Sequence, residues 1–222
     1  ANYKNQITKK LQIYGPKNTK TYYKKMRDLY VKQTSIDIQV KEVSKGVIYE
    51  TKDFKIEVLP LDHTTPVVGY SFIEKDKRKM NMTYLKKYGL QKNPILKKLQ
   101  EGKNIKWKGK TIKAKEATKV IKGKKITLVT DTGVCTNIIK LAKNADVLIC
   151  EATLLDELRE KSKAWKHLTA KQAGQLAKKA QVKKLILMHF SQRYNSTTPL
   201  LKEAKKYFKN TICAKDFYVH KL

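Results

Sequence analysis

Short apolar segments alternate with segments of helical periodicity through the second half of this chain. The apolar segments have the length of strands, and the segments between them place apolar residues at helical spacing. Strands are predicted at residues 126–130, 145–150, 184–190 and 212–219, and helices at 136–143, 169–180 and 199–208. Strands that alternate with helices predict a layered α/β fold. No apolar run reaches the roughly 18–20 residues of a membrane span, so the pattern argues against an integral membrane protein.

The first 75 residues add further predicted strands and one helix. The strands are expected at 11–16, 36–43, 47–51, 54–61 and 66–73, and the helix begins near Asn18 or Thr19. With 222 residues, of which 41% are hydrophobic, the chain can bury one sizeable core. We therefore expect one domain, or one domain with an appendage.

Residues 76–115 interrupt this pattern with a concentration of positive charge. The segment holds fourteen Lys or Arg against two acidic residues, in a chain whose formal net charge is +31. Two short helices are predicted, at 83–88 and 94–99, but no core of its own, so we expect a protruding basic arm. Such charge favours a polyanionic partner, above all nucleic acid. The alternative is a lysine-rich bias without a ligand, because only Arg27, Arg78, Arg159 and Arg193 among the 50 basic residues are arginine.

The number and spacing of the cysteines indicate the redox state of the protein's environment. Cys135, Cys150 and Cys213 are odd in number and show no paired spacing, which argues against a disulfide framework. We therefore expect a reducing environment and a cytoplasmic location.

Several residues that can do chemistry fall at the ends of predicted strands. His63 and Asp131 each follow a predicted strand, His189 lies at the end of another, and His167 precedes a helix. Polar residues at strand ends of α/β folds meet at the edge where ligands bind, and two imidazoles with a carboxylate suit zinc. Each signal alone has another explanation: a strand-end histidine can be structural, Asp-Thr-Gly can be a turn, and Glu151 can be a helix N-terminal charge.

Eight short motifs, taken in their order along the chain, together match one family pattern. They are Ile-Tyr-Gly-Pro at 13–16, Leu-Asp-His at 61–63, Gly-Tyr at 69–70, Val-Thr-Asp-Thr at 129–132, Cys-Glu-Ala-Thr at 150–153, His-Leu-Thr-Ala at 167–170, Gln-Ala at 172–173 and His-Phe-Ser-Gln-Arg-Tyr at 189–194. In this order and spacing the chain resembles the ribonuclease Z family, the tRNA 3′-processing endonucleases of the metallo-β-lactamase superfamily.

The resemblance implies an architecture. The fold would be the metallo-β-lactamase αβ/βα sandwich, N-terminally truncated, with its core divided between residues 1–75 and 116–222. Residues 76–115 would be the inserted flexible arm that binds tRNA. A homodimer is also implied.

The resemblance further implies a metal centre that uses two Zn²⁺ ions. The residues that match the family's ligands are His63, Asp131 and His189, with Asp131 bridging the two ions. Two zinc ions that share a carboxylate can activate water and hold a phosphodiester for in-line attack.

Four more residues match family positions with other roles. His167, paired with Glu151, would give a proton to the departing 3′ oxygen of the tRNA, because a carboxylate behind an imidazole fixes its orientation. Ser191 and Arg193 match phosphate-contacting positions, and the planar fork of arginine suits that role.

The sequence also departs from the family pattern. Cys150 stands where the family usually has His, and Asn93-Pro94 stands where the arm usually has Gly-Pro. The His-x-His-x-Asp-His motif, which supplies most of the family's zinc ligands and its proposed general base, does not occur in these 222 residues. We therefore expect the C-terminal part of a longer protein, which alone would bind zinc weakly and cleave precursor tRNA poorly.

Three functions remain open at this point. The first is a zinc-dependent endoribonuclease that removes the 3′ trailer of precursor tRNA. The second is a related phosphodiesterase for small molecules, for which a basic arm has no use. The third, favoured by the missing motif, is an inactive RNA-binding module or one half of a split enzyme.

Overall fold

The computed structural model describes residues 10–30 and 37–222. Residue 36, where one predicted strand begins, lies outside them. The strands are β1 Leu11–Gly15, β2 Ile38–Glu42, β3 Gly46–Glu50, β4 Phe54–Pro60, β5 Val68–Glu74, β6 Lys77–Met80, β7 Ile105–Trp107, β8 Lys110–Ile112, β9 Thr118–Ile121, β10 Lys125–Val129, β11 Val147–Glu151, β12 Lys184–Met188 and β13 Thr211–Cys213. The helices are α1 Thr19–Tyr30, α2 Met82–Lys86, α3 Leu96–Gln100, α4 Ala114–Ala117, α5 Thr136–Ala142, α6 Arg159–Ala164, α7 Ala170–Lys179 and α8 Thr198–Lys205, and a 3-10 turn at Asp156–Leu158 precedes α6.

A seven-stranded sheet organises the larger of two compact units, which comprises the chain up to Ile73 and Lys125–Leu222. Its strand order is β13-β12-β11-β10-β5-β4-β3. Neighbours from β10 to β13 are parallel, and β5 runs antiparallel to β10. A mixed sheet with helices between its parallel strands confirms the predicted α/β class.

Helices α5, α7 and α8 contribute side chains to one hydrophobic core with alternate residues of the sheet. Leu148 and Leu187 are fully buried in this core. Gly174 of α7 lets α8 approach closely, because a Cβ at this position would lie 2.7 Å from the carbonyl oxygen of Ala204. This packing holds the parallel strands, and therefore their carboxyl ends, in fixed positions.

The second unit is Glu74–Lys124, and it has a core of its own. β6 pairs with β9 and β7 with β8, both antiparallel. The buried apolar residues are Leu85, Leu90, Leu99, Ile105, Ile112, Ala114 and Ala117. The expectation that this segment has no core is therefore wrong. Its apolar residues are divided among short helices and strands, so none of the segments is long enough to show a period.

The C-terminus differs from the sequence prediction as well. The strand predicted at 212–219 is only Thr211–Cys213, and its pairing with β12 ends at Cys213 opposite Leu187. Beyond it, Phe217 and Val219 have largely exposed side chains, because no neighbouring strand continues past this point to bury them. Among the helices of residues 10–30 and 37–222, none combines the length and apolar character of a membrane span.

Candidate active site

The predicted site residues gather at one edge of the sheet. Asp131 follows β10, Glu151 ends β11 and His189 directly follows β12, and these three strands are parallel. The ring centroid of His167 lies 5.2 Å from that of His63 and 5.4 Å from that of His189. His63 and His167, 104 positions apart in the sequence, therefore lie side by side, and His167 also lies next to His189.

Glu151 is the centre of the hydrogen-bond network. Its side chain is fully buried. Oε1 accepts the backbone N–H of Thr132 at 2.5 Å and the Nδ1–H of His167 at 3.1 Å. Oε2 accepts the hydroxyl of Thr153 at 2.6 Å and the backbone N–H of Leu168 at 3.0 Å. Four donors compensate the desolvation of this carboxylate, so its position is tightly fixed.

The hydrogen bonds of His167 and His63 determine which ring nitrogen remains available. Nδ1 of His167 is engaged by the Glu151 carboxylate, and Nδ1 of His63 donates to the backbone carbonyl of Lys166 at 3.1 Å. A carbonyl oxygen can only accept, so the proton of His63 is on Nδ1. Both rings therefore leave Nε2 free for a metal ion or a substrate atom.

Thr153 determines which ring nitrogen of His189 remains available. Its hydroxyl donates to Glu151, and its oxygen lies 2.9 Å from Nδ1 of His189. Because the hydroxyl proton points to the carboxylate, Nδ1 of His189 donates to the threonine oxygen. Nε2 of His189 is then unprotonated in the neutral ring and faces the neighbouring carboxylate.

That carboxylate belongs to Asp131. Nε2 of His189 lies 2.9 Å from its Oδ1, and Oδ1 is buried without a hydrogen-bond partner among the described residues. Two acceptor atoms at this distance repel each other unless a cation or a proton lies between or beside them. The arrangement therefore fits a metal ion.

Ligand atoms of Asp131, His167 and His189 all lie within 4.8 Å of one another. Imidazole nitrogen and carboxylate oxygen are ordinary zinc ligands, and the residues present thus fit such an ion. His63 lies next to His167 but is not part of this cluster. The ligand set His63, Asp131 and His189 stays a prediction.

Backbone strain marks the same edge. Asp131, Lys166 and His189 have φ angles of 48°, 54° and 59°, in the left-handed region that residues with a side chain rarely adopt. Such conformations persist only where the surrounding structure holds them, and they are typical of functional sites.

The two loops that carry His63 and Asp131 are fastened to each other by Thr132. Its side-chain oxygen accepts the backbone N–H of Asp62 at 3.1 Å, and the adjacent Gly133 N–H donates to the carbonyl of Asp62 at 2.7 Å. A shift of one loop would therefore break bonds of the other.

Ser191 and Arg193 occupy the loop that follows His189. Arg193 is exposed, and its Nε donates to the hydroxyl of Ser191 at 3.0 Å. The two predicted phosphate-contacting residues therefore contact each other, and the guanidinium retains its terminal NH₂ groups for an anion.

Cys150 is not part of this edge, although it directly precedes Glu151. It is fully buried in the core, and burial, with smaller contributions from Glu151 and Cys135, raises the pKa of its thiol well above the ordinary value. A thiol that stays protonated is a poor metal ligand, so the Cys150 departure is accommodated as packing.

Sequence reasoning missed Thr153 and Thr132 as site residues. Both lie inside the motifs that carry the resemblance, but a threonine alone gives no chemical signal. Only the contacts of their hydroxyls with Glu151, His189 and Asp62 reveal their roles.

The fold and the site define a class, the metallo-β-lactamase fold. The family described as Beta-lactamase superfamily domain matches residues 101–190. Human tRNase Z, short form, superposes with a TM-score of 0.62 at 21% identity over 97% of this chain and 69% of that chain. A metallo-β-lactamase fold protein from Bacillus subtilis gives a TM-score of 0.59 at 16% identity over 93% of this chain and 63% of that chain.

Relatives with higher sequence identity identify one family within this class. The ribonuclease Z of Archaeoglobus fulgidus is 36% identical over 96% of this chain and 71% of its own length, and that of Chlamydia muridarum is 34% identical over 96% and 70%. The ribonuclease Z of Borreliella afzelii is 40% identical over 88% of this chain and 64% of its own length. The chain belongs to the ribonuclease Z family.

Proposed function

We propose that this protein is a zinc-dependent endoribonuclease that removes the 3′ trailer from precursor tRNA and leaves a 3′-hydroxyl on the tRNA. The observation that carries the proposal is that two pairs of residues lie together at one sheet edge. One is the buried Glu151–His167 pair. The other is the Asp131–His189 pair, whose facing acceptor atoms are suited to bind a cation. Membership in the ribonuclease Z family supplies the substrate class.

Asp131, His189 and His63 would hold the metal. Zinc ions, when bound there, would supply an activated water and neutralise charge on a phosphodiester. Thr153 keeps Nδ1 of His189 engaged, so that its Nε2 faces the metal side. Asp131 contributes the otherwise unpartnered Oδ1.

His167 would be the general acid. In its protonated form it carries a proton on Nε2, and Glu151 stabilises that form because it already accepts the Nδ1–H. The proton would pass from Nε2 to the 3′ oxygen as the bond between phosphorus and that oxygen breaks. Ser191 and Arg193 would bind the phosphate, and the lysines of residues 76–115 would bind the tRNA backbone.

A complete two-metal site needs more donors than His63, Asp131 and His189 provide. We therefore propose that further ligands come from an additional N-terminal segment or from a second chain. The same deficit is the specific observation that favours the other candidate, an inactive RNA-binding module or half of a split enzyme. A homodimer and a cytoplasmic location complete the proposal, and sedimentation of the purified protein tests the former.

The test compares the 222-residue chain with a chimera. In the chimera, the part of the Archaeoglobus fulgidus relative that the chain does not match precedes the chain. Both are loaded with zinc and given a precursor tRNA with a 3′ trailer, and the new tRNA end is tested for a 3′-hydroxyl by enzymatic ligation. A His167→Gln chimera is the matched control, because it keeps the fold and removes the proton donor.

We expect the chimera to cut after the acceptor stem and the chain alone to cut poorly. A zinc-loaded chimera that binds tRNA without cutting it would support the binding module instead. Hydrolysis of bis(p-nitrophenyl) phosphate without cleavage of precursor tRNA would indicate a small-molecule phosphodiesterase. Efficient cleavage by the chain alone would refute the ligand deficit.

A further inference from the structure

A groove begins beside His167 and continues along α7. A cavity of about 420 Å³ has His167 in its wall, and a second cavity of about 170 Å³ extends to Lys179. Both cavities have Val134, Arg159 and Gln172 in their walls, so they adjoin, and the two together are called the groove. Its volume is in the range of pockets that bind small organic ligands, and its position places any occupant next to the proton donor.

Two cations of α6 in this groove have no acidic partner in the part of the chain that the structure describes. Arg159 and Lys163 lie one helical turn apart on the same face, and within residues 10–30 and 37–222 neither forms an ion pair. Like charges at this spacing destabilise a helix slightly, and a bound anion would relieve the repulsion. Lys166, by contrast, is paired with Asp62 at 2.8 Å. Over both cavities the walls carry Arg159, Lys163, Lys166 and Lys179 against Asp62 and Glu160, which leaves an excess of two positive charges.

The identity of one of these cations adds to the argument. Arg159 is one of four arginines in a chain with 46 lysines. Its guanidinium offers a planar pair of donors that lysine cannot copy and that matches a phosphate group.

The remaining walls suit the rest of a nucleotide. Val134 is about half exposed and offers an apolar surface for a base. Gln172 accepts the N–H of Thr169 with its amide oxygen at 2.9 Å, which leaves the NH₂ end for a base acceptor. Glu160 can accept the 2′-hydroxyl of a ribose, the group that distinguishes RNA from DNA.

We propose that this groove binds single-stranded RNA directly beside the phosphodiester that is cut, with Arg159 and Lys163 on its phosphates. The proposal rests on the proposed function, because it takes the cut to occur at His167. Two strands could supply this RNA: the unpaired 3′ nucleotide of the tRNA, or the trailer. The chemistry that the groove recognises is the same for both.

The test uses both products of the cut as probes for the zinc-loaded protein. One is an acceptor-stem hairpin with one unpaired 3′ nucleotide, with a blunt hairpin as its reference. The other is a 5′-phosphorylated trinucleotide for the trailer. Fluorescence anisotropy gives the affinity over a series of salt concentrations. The variant is Arg159→Gln/Lys163→Gln, and the control is Lys202→Gln/Lys206→Gln, which removes two exposed charges from the α8 region outside the groove.

We expect the groove variant, and not the control, to weaken one of the two probes. If both side chains bind phosphates, the slope of log affinity against log salt should fall by about 1.4, since each phosphate of a single strand that is neutralised contributes about 0.7. A loss confined to the overhang hairpin, with the blunt hairpin unchanged, assigns the groove to the tRNA end, and a loss confined to the trinucleotide assigns it to the trailer. Equal effects of the groove variant and the control, or no effect of either, overturn the proposal.

Cleavage assays on the same preparations separate this outcome from failure of the proposed function. A protein that cuts precursor tRNA while its product affinities are insensitive to Arg159 and Lys163 has the activity without the groove. Because the chain alone is expected to cut poorly, these assays use the chimera, and a zinc-loaded chimera that neither cuts nor binds the probes refutes both.

Discussion

The two compact units of this protein handle charge in opposite ways. At the sheet edge, Glu151 is fully buried and each of its oxygens accepts two hydrogen bonds. In Glu74–Lys124, a small apolar core supports a surface with eighteen Lys or Arg and four acidic residues. Its ion pairs, such as Lys122 with Asp76 at 2.7 Å, are exposed.

The difference shows what each kind of task requires. A proton donor or a metal ligand must be held in one geometry, which takes buried and fully compensated polar groups. Contact with a polyanion takes only a surplus of positive charge on a folded support, and exposed ion pairs contribute at most about 1 kcal/mol each. Salt should therefore weaken the tRNA binding proposed for the second unit and leave the geometry of the first largely unchanged.

The largest effect on the active site is expected from a substitution of Glu151. Each oxygen of Glu151 accepts two hydrogen bonds. In Glu151→Gln one oxygen becomes an NH₂ group, which cannot accept hydrogen bonds from the two donors that face it. His167 then loses the contact that fixes its orientation. We expect single-turnover cleavage of precursor tRNA by the chimera to fall about 10²–10⁴-fold.

A matched variant separates catalysis from stability. Glu203 also accepts backbone N–H groups, those of Asp156 and Lys171, but it lies in α8. Glu203→Gln should lower the free energy of unfolding and leave the cleavage rate of the folded protein unchanged. Equal loss of cleavage in both variants would mean that Glu151 acts only through stability.

The independence of the two cores can be tested by cavity formation. Leu99 is fully buried in the second unit, and Leu148 in the sheet core. Each substitution by Ala should destabilise its own unit by about 2–5 kcal/mol. Hydrogen exchange should show Leu99→Ala losing protection within residues 74–124 while zinc affinity stays unchanged. A drop in zinc affinity for Leu99→Ala would contradict this independence.

Thr153→Val tests whether the threonine hydroxyl supports the proposed zinc binding by His189. Valine keeps the shape of threonine, but Nδ1–H of His189 loses its acceptor and Glu151 loses one donor. Because partners of metal-ligating histidines tune affinity, we expect zinc binding to weaken about 10–100-fold in a competition assay with a chromophoric chelator. Thr153→Ser should restore it. A zinc affinity that stays low in Thr153→Ser, which keeps the hydroxyl, would contradict the role given to that hydroxyl.

The smallest effects are expected at the exposed lysines of the second unit. Lys106, Lys108 and Lys110 lie in the β7–β8 hairpin, and all three are exposed. Their replacement by Gln should reduce the salt slope of tRNA binding by up to about 0.9 for each lysine that neutralises a phosphate. Lys202, Lys205 and Lys206 in and directly after α8, replaced in the same way, serve as the control. An unchanged slope would remove the hairpin from the RNA-binding surface.

Sequence periodicity predicted the α/β fold, and the positions of His63, Asp131 and His189 at strand ends predicted a shared edge, because strand ends in such folds meet there. The place of His167 beside them was an expectation from the family resemblance. It missed the core around Leu99, whose apolar partners lie on elements too short to show periodicity.

Sequence also missed the role of Thr153, because that role depends on the direction in which one hydroxyl proton points. Hydrogen-bond direction is a property of three-dimensional contacts, and no spacing along the chain encodes it.

The position of Glu151 between His167 and Thr153 has an evolutionary consequence. One side chain aligns both the proposed acid and a proposed metal ligand, so substitutions there cannot remove one capability and spare the other. A lineage that replaces Glu151 should therefore lose the orientation of both histidines in a single step.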